Sequence, residues 1–152
     1  MAARSTMPRV GDAPPTTDTP KIGPDTPLSS LTSDPSPLDA LYTESLADAK
    51  AAGKAAVVLF ASGSHCEDPA CAATLAELKK DQAADGSKAV FIHVETRDLA
   101  DPTQLSATAK AWGIKGEPWT FMISARGFVG ARVEGELSAQ EMGLLLQKVM
   151  TP

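Results

Sequence analysis

Apolar and polar positions fall into two periods along the chain from Leu38 onward. The stretch Ala55-Ala56-Val57-Val58-Leu59-Phe60-Ala61 is an unbroken apolar run, the texture of a strand buried on both faces. Ala89 to Glu95 alternates, with Val90, Ile92 and Val94 on one face, and reads as a second strand. Trp119–Ser124 and Phe128–Glu134 flank the turn Arg126-Gly127 and read as a hairpin. Between the first two strands, Leu75 and Leu78 place a helix over Ala70–Ala84, with Glu77, Lys79, Lys80 and Asp81 facing out. Leu38, Leu41, Tyr42, Leu46 and Ala49 have helical spacing and predict an earlier helix, capped by Asp34 or Ser36 and ended by Gly53. Asp101-Pro102 predicts a helix running to Trp112 and closed by Gly113. Ser138 with Glu141 forms a capping box before a last helix whose apolar stripe is Leu144, Leu145, Val149 and Met150. The order is β-α-β-α-β-β-α behind a leading helix. Strands joined through helices are expected to be parallel, and the hairpin to add antiparallel strands. This predicts an α/β fold, a mixed sheet of about four strands with helices on both faces.

The segment before Leu38 is different. Eight of the 12 prolines fall within residues 1–37, among many Thr, Ser and Asp. It reads as an extended arm (residues 1–37) ahead of a folded domain (residues 38–152). The arm is either a tail or a strap that packs on its own domain or on a larger assembly, with Val10, Ile22, Leu28 and Leu31 as anchors. With 43% hydrophobic and 22% charged residues, the chain has the composition of a globular domain. A net charge of -5 without a Lys/Arg run gives no basis for nucleic-acid binding. No apolar run approaches the roughly 20 residues of a membrane-spanning helix. Met1 to Val10 carries Arg4 and Arg9 but no apolar core, so no signal peptide is read there.

The chemistry lies in Ser62-Gly63-Ser64-His65-Cys66-Glu67-Asp68-Pro69-Ala70-Cys71. These are the only two cysteines, and they stand where a buried strand turns into a helix. A helix N-terminus offers unpaired N–H groups and positive dipole charge, which favours thiolate. His65 as a cation would lower the Cys66 pKa, whereas Glu67 and Asp68 oppose it, so a modestly activated thiol is expected. Two further readings stay open at this point. One is a fixed disulfide that pins the helix start. The other is a Cu(I) site of Cys66, Cys71 and His65, with His93 as a further ligand. Zinc would want four ligands, which the sequence does not offer convincingly.

The element order, a cysteine pair after the first core strand and a proline opening the hairpin resemble the thioredoxin-like fold. Leu31-Thr32-Ser33-Asp34-Pro35-Ser36-Pro37, Leu41-Tyr42, Ala51-Ala52-Gly53-Lys54, Phe91-Ile92-His93-Val94-Glu95 and Trp112-Gly113 with Glu117-Pro118-Trp119 resemble a group of bacterial thioredoxin-domain proteins. Many of these are exported, and they share the four-residue cysteine spacing. The resemblance covers about residues 8–149. It implies a three-layer sandwich and an extracytoplasmic setting, in periplasm or cell envelope. It also implies thiol–disulfide exchange with protein thiols or disulfides, using no cofactor beyond the cysteines.

By that resemblance Cys66 attacks, Cys71 resolves the mixed disulfide, and His65 tunes the thiol. Pro118 is expected to be cis and to shape the site beside Cys66. Glu117 is expected to expose backbone groups to a substrate strand, with Trp119 lining the groove. Trp112 could line the groove too, but both tryptophans read more readily as core residues, and Glu95 and Asp98 as solvated loop-end charges. Ordinary thioredoxins place two residues between the cysteines, and here there are four. Residues five apart in one helix have Cα atoms roughly 8–9 Å from each other. A disulfide needs less than about 7 Å. A bridged Cys66 must therefore precede the helix, with Pro69 near its first turn. A peroxidase is not supported, because Gly63 stands where Thr or Ser would be required. The alternative to catalysis is an accessory or assembly subunit whose bridge is structural.

Overall fold

The structure, a computed structural model, describes residues 7–150. Met1 and Arg4, at the start of the expected arm, and Thr151 and Pro152 lie outside the described residues. Four strands, β1 (Ala55–Phe60), β2 (Ala89–Val94), β3 (Trp119–Ile123) and β4 (Val129–Glu134), form one sheet in the order β2-β1-β3-β4. Every residue of β1 and of β2 is buried, as the apolar run of β1 requires.

β1 and β2 are parallel, and β3 is antiparallel to both β1 and β4. The expectation of parallel strands on either side of each helix therefore fails for β3, for a reason of length. Helix α3 (Ala107–Ala111) has five residues and rises about 7.5 Å. Returning along the six-residue β2 would take about 20 Å. The chain instead enters β3 at the end where β2 stops. Phe60 accordingly pairs with Val94 on one side and with Trp119 on the other.

Two layers cover the sheet. Helices α2 (Pro69–Asp85) and α4 (Ala139–Met150) pack Leu75, Leu78, Met142 and Leu146 onto the face of Val57, Leu59, Phe91 and Met122. Helix α1 (Leu46–Ala51) and α3 cover the other face, where Ala49, Ala109, Trp112 and Ile114 meet Val58, Phe60, Ile92 and Phe121. Trp112 is a core residue, fully buried with its ring centroid 5.1 Å from those of both Phe60 and Phe121.

Two helices begin later than their apolar spacing predicts, because nearer caps take over. Ser45 and Asp48 form a capping box that starts α1 at Leu46, and Asp39–Leu41 is a single 3-10 turn. Asp34 is engaged elsewhere, by Lys79 at 2.7 Å and the Ser36 N–H. Asp101 accepts from the N–H and hydroxyl of Thr103, and Ser106 caps α3. The capping box of Ser138 and Glu141 forms as the sequence predicts.

Among residues 7–37, Ile22 and Leu28 pack on the α2/α4 side of the core, and Leu31 is buried in it. Gly11 and Asp12 exchange backbone hydrogen bonds with Val129 at the start of β4. Val10, expected as an anchor, is 63% exposed.

Asp81, expected to face solvent, is half-buried on α2. Burial first, and the neighbouring Glu77 second, push its carboxyl up to about 7. The native state therefore keeps a proton that the unfolded chain releases near pH 4. Its contribution to stability falls as pH rises from about 4 to about 7. Asp81→Asn is expected to raise the melting temperature at pH 8 and to change it far less at pH 4. Equal shifts at the two pH values would contradict this assignment.

Candidate functional site at the end of β1

β1 stops at Phe60 and α2 starts at Pro69. The Asp68 carboxylate caps α2 by accepting from the Ala70 N–H at 2.9 Å. Pro69 sits in the first turn, where a missing N–H costs nothing. Cys66 thus lies in the loop before the cap and Cys71 in the first turn, with Cα atoms 6.3 Å apart and the sulfurs bridged. Cys71 is only 2% exposed, whereas Cys66 is half-buried. Cys66 is therefore the sulfur a partner can reach. His65 is exposed beside it, and both line an open cleft of about 510 Å³ whose other walls include Arg97, Pro102, Thr103 and Glu117.

Glu117 closes the floor of this cleft. The β1–β3 register, Phe60 opposite Trp119, places Ser62 opposite Glu117 two positions beyond the ladder. The ladder does not continue there, because the Glu117 carboxylate takes the bonds of Ser62. It accepts from the Ser62 N–H at 2.7 Å and from the Ser62 hydroxyl at 3.2 Å. Arg97 Nε donates to its other side at 3.2 Å. The Glu117 side chain is 7% exposed, and its Oε1 stands 3.4 Å from Cys71 Sγ. Among the described residues, no hydrogen bond engages the Glu117 backbone. The Glu117–Pro118 bond is cis, and Pro118 is buried.

A second carboxylate, Glu95, holds the same loop from the other side. Expected in solvent, it is 4% exposed. Its oxygens accept from the Thr32 hydroxyl at 3.0 Å, the Ser33 N–H at 3.2 Å, the Ser33 hydroxyl at 2.8 Å and the Gly63 N–H at 3.1 Å. It thereby ties residues 32 and 33 to the loop that carries Cys66. Ser64 completes the tie through the hydroxyl and carbonyl of Ser33. Asp98, by contrast, is exposed as expected. No periodicity marks Glu95 as internal, and the hydroxyls that satisfy it, at Thr32-Ser33, are distant in sequence.

Gly63 is required by close approach. A Cβ there would stand 2.8 Å from the Asp34 Cα. Gly63→Ala is expected to cost about 1–3 kcal/mol. Unfolding in denaturant checks this, and a loss below about 0.5 kcal/mol would mean that the strap moves freely.

His93 lies away from the cysteines' cleft, and both its ring nitrogens are occupied. Tyr42 O–H donates to Nδ1 at 2.6 Å, and Nε2–H donates to the Ala61 carbonyl at 2.8 Å. Burial pushes its pKa down, so the ring is neutral. The Cu(I) set with His93 as a ligand is therefore corrected. The donor set that lies together is Cys66, Cys71 and Glu117, all within 4.8 Å. Trp119 is half-buried; its indole N–H is spent on the Lys115 carbonyl, and Arg132 stacks 5.7 Å from its ring. It is not among the residues that line the cleft over the pair.

A four-stranded mixed sheet between two helical layers, with a cysteine pair following β1 and a cis-proline just ahead of β3, defines a thioredoxin-like protein. The chain belongs to the thioredoxin-like domain family, whose pattern it matches over residues 42–150. It is similar in fold to a protein assigned as the thiol:disulfide interchange protein DsbE from Chlorobium tepidum. The identity is 19%, with 94% of this chain and 99% of that one covered, at a TM-score of 0.63. A thiol:disulfide interchange protein of the thioredoxin family from Chlorobium tepidum TLS is 17% identical, with 99% of each chain covered and a TM-score of 0.59. The exposed lipoprotein thioredoxin Etrx1 from Streptococcus pneumoniae is 17% identical over 69% of this chain and 90% of that one, at a TM-score of 0.52. Comparison with curated proteins gives no match.

Proposed function

We propose that the chain is a thiol–disulfide oxidoreductase acting on protein thiols or disulfides through Cys66 and Cys71. The observation that carries this is the asymmetry of the pair: a reachable Cys66 over an open cleft, bridged to a buried Cys71. In the reductive direction the Cys66 thiolate attacks one sulfur of a substrate disulfide, and one substrate thiolate leaves and takes a proton from water. Cys71, its proton passed to solvent, attacks Cys66 Sγ and expels the second substrate thiolate. Two electrons move from the cysteine pair to the substrate, and no other cofactor takes part. The oxidative direction is the reverse.

The free backbone of Glu117 supplies the edge on which a substrate strand pairs, with Pro118 setting its direction. Because the carboxylate caps Ser62, that backbone is left to the substrate. His65 flanks Cys66, exposed at the rim of the same cleft, as the residue that tunes the thiol. An extracytoplasmic setting fits the reading, since the similar proteins include an exposed lipoprotein. Among the described residues no helix is long and apolar enough to cross a membrane. Turnover tests the reading. The reduced chain should reduce a disulfide in an unfolded protein, and Cys66→Ser should abolish this while leaving the melting profile of a folded domain. Equal rates for both proteins would refute it.

A further inference from the structure

We propose that the reduced protein binds a divalent cation of zinc type through Cys66, Cys71 and Glu117. The three donors come from different segments, the loop after β1, the first turn of α2 and the loop just before β3, and converge within 4.8 Å. Zinc bonds thiolate at about 2.3 Å and carboxylate at about 2.0 Å, so a tetrahedral site separates sulfur from oxygen by about 3.5 Å. Cys71 Sγ and Glu117 Oε1 are 3.4 Å apart. That edge of the tetrahedron already exists while the pair is bridged. The other requirement is that the two sulfurs separate to about 3.8 Å once the bridge opens. Cys66 can supply this movement, because it lies in the loop ahead of the Asp68 cap and not in the helix.

The surroundings of Glu117 fit a ligand. The Ser62 hydroxyl and Arg97 hold Oε2, and the Ser62 N–H shares Oε1, fixing the carboxylate as outer-shell donors do for metal-bound carboxylates. Charge selects the valence. Two thiolates and one carboxylate carry three negative charges, and the Arg97 ion pair offsets one of them. A dication makes the cluster neutral, whereas Cu(I) would leave it negative. Two soft sulfurs with one hard oxygen suit zinc better than Cu(I), magnesium or calcium. Cys66, Glu117 and the exposed His65 line the same open cleft, from which water or His65 would supply the fourth ligand. Binding releases the two thiol protons and oxidises nothing, and forming the disulfide removes the site.

The inference requires, as the redox reading does, that the bridge can be reduced in the folded protein; it does not require turnover. The test uses the full chain, reduced and metal-free, titrated with Zn2+ against a chromophoric chelator and with Co2+ for its thiolate charge-transfer bands. One equivalent should bind to the reduced protein and none to the oxidised one. Glu117→Gln keeps a carbonyl oxygen for Ser62 but is a poor zinc ligand, and should weaken binding about tenfold or more. An independent readout needs no variant. Zinc stabilises the dithiol, so the midpoint potential of the wild-type pair should rise by about 30 mV for each tenfold of zinc above its Kd. Unchanged affinity in Glu117→Gln, a zinc-insensitive midpoint, or a bridge that reduces only on unfolding would each overturn the site. Failure of turnover with zinc binding intact would sink the redox reading alone.

Discussion

Cys71→Ser is expected to accumulate a covalent adduct between Cys66 and protein substrates that Cys66→Ser does not form. The wild-type chain resolves the mixed disulfide internally, since Cys71 is held next to Cys66 by the first turn of α2. Removing Cys71 leaves resolution to external thiols, which meet Cys66 only by collision. The adduct should rise from trace to the dominant reacted species when extracts are quenched with acid and resolved without reductant. Burial sets the polarity of the experiment. At 2% exposure, Cys71 cannot replace Cys66 as the attacking sulfur. Adducts of equal yield in both variants would show that the two cysteines are equivalent and that the proposed order of attack is wrong.

Glu95→Ala should be the most damaging single change outside the hydrophobic core. It strips the acceptor from Thr32, Ser33 and Gly63 in a site almost closed to water. An unsatisfied buried donor costs about 1–3 kcal/mol, so a total of about 3 kcal/mol or more is expected even if water enters. For a domain of this size that corresponds to a melting temperature lower by about 6–12 °C. Glu95→Gln keeps one carbonyl oxygen and should recover part of the loss. A loss below about 1 kcal/mol in Glu95→Ala would mean that the loop carrying Cys66 is held by its other contacts alone. Glu95 matters to the site because its bonds run through the Cys66 loop, so its loss should also loosen the pair.

The apolar periods in the sequence were enough to place the four strands and the cysteine helix, because β1 is written as a continuous apolar run and β2 as an alternating one, although both are buried throughout. The cysteine pair and the proline after Glu117 were legible for the same reason, lying just beyond strand ends that could be located. Helix starts were less so. Asp34 and Asp101 are good caps by residue type, but Ser45 and Ser106 offered caps nearer the helices that formed. The direction of β3 depended on the length of α3, which periodicity overestimated.

The two buried carboxylates were illegible for a different reason. Glu95 reads as a loop-end charge and Glu117 only as a backbone contact for substrate, and their carboxylates' partners Thr32, Ser33, Ser62 and Arg97 lie 20 to 63 positions away. No local pattern announces a carboxylate satisfied by distant donors. The signal that existed was indirect: a glycine at 63, beside which the strap carrying Asp34 passes too closely for a side chain.

The central claim, that the bridge is a working redox couple and not a fixed staple, is tested most directly by its reduction potential. The pair would be equilibrated with a series of dithiothreitol buffers in the presence of a chelator, and free thiols counted by alkylation and mass. The account predicts a midpoint between about -120 and -270 mV with reduction in the folded state, as in catalytic thiol–disulfide proteins. A midpoint below about -300 mV with slow exchange would contradict it and make the bridge structural.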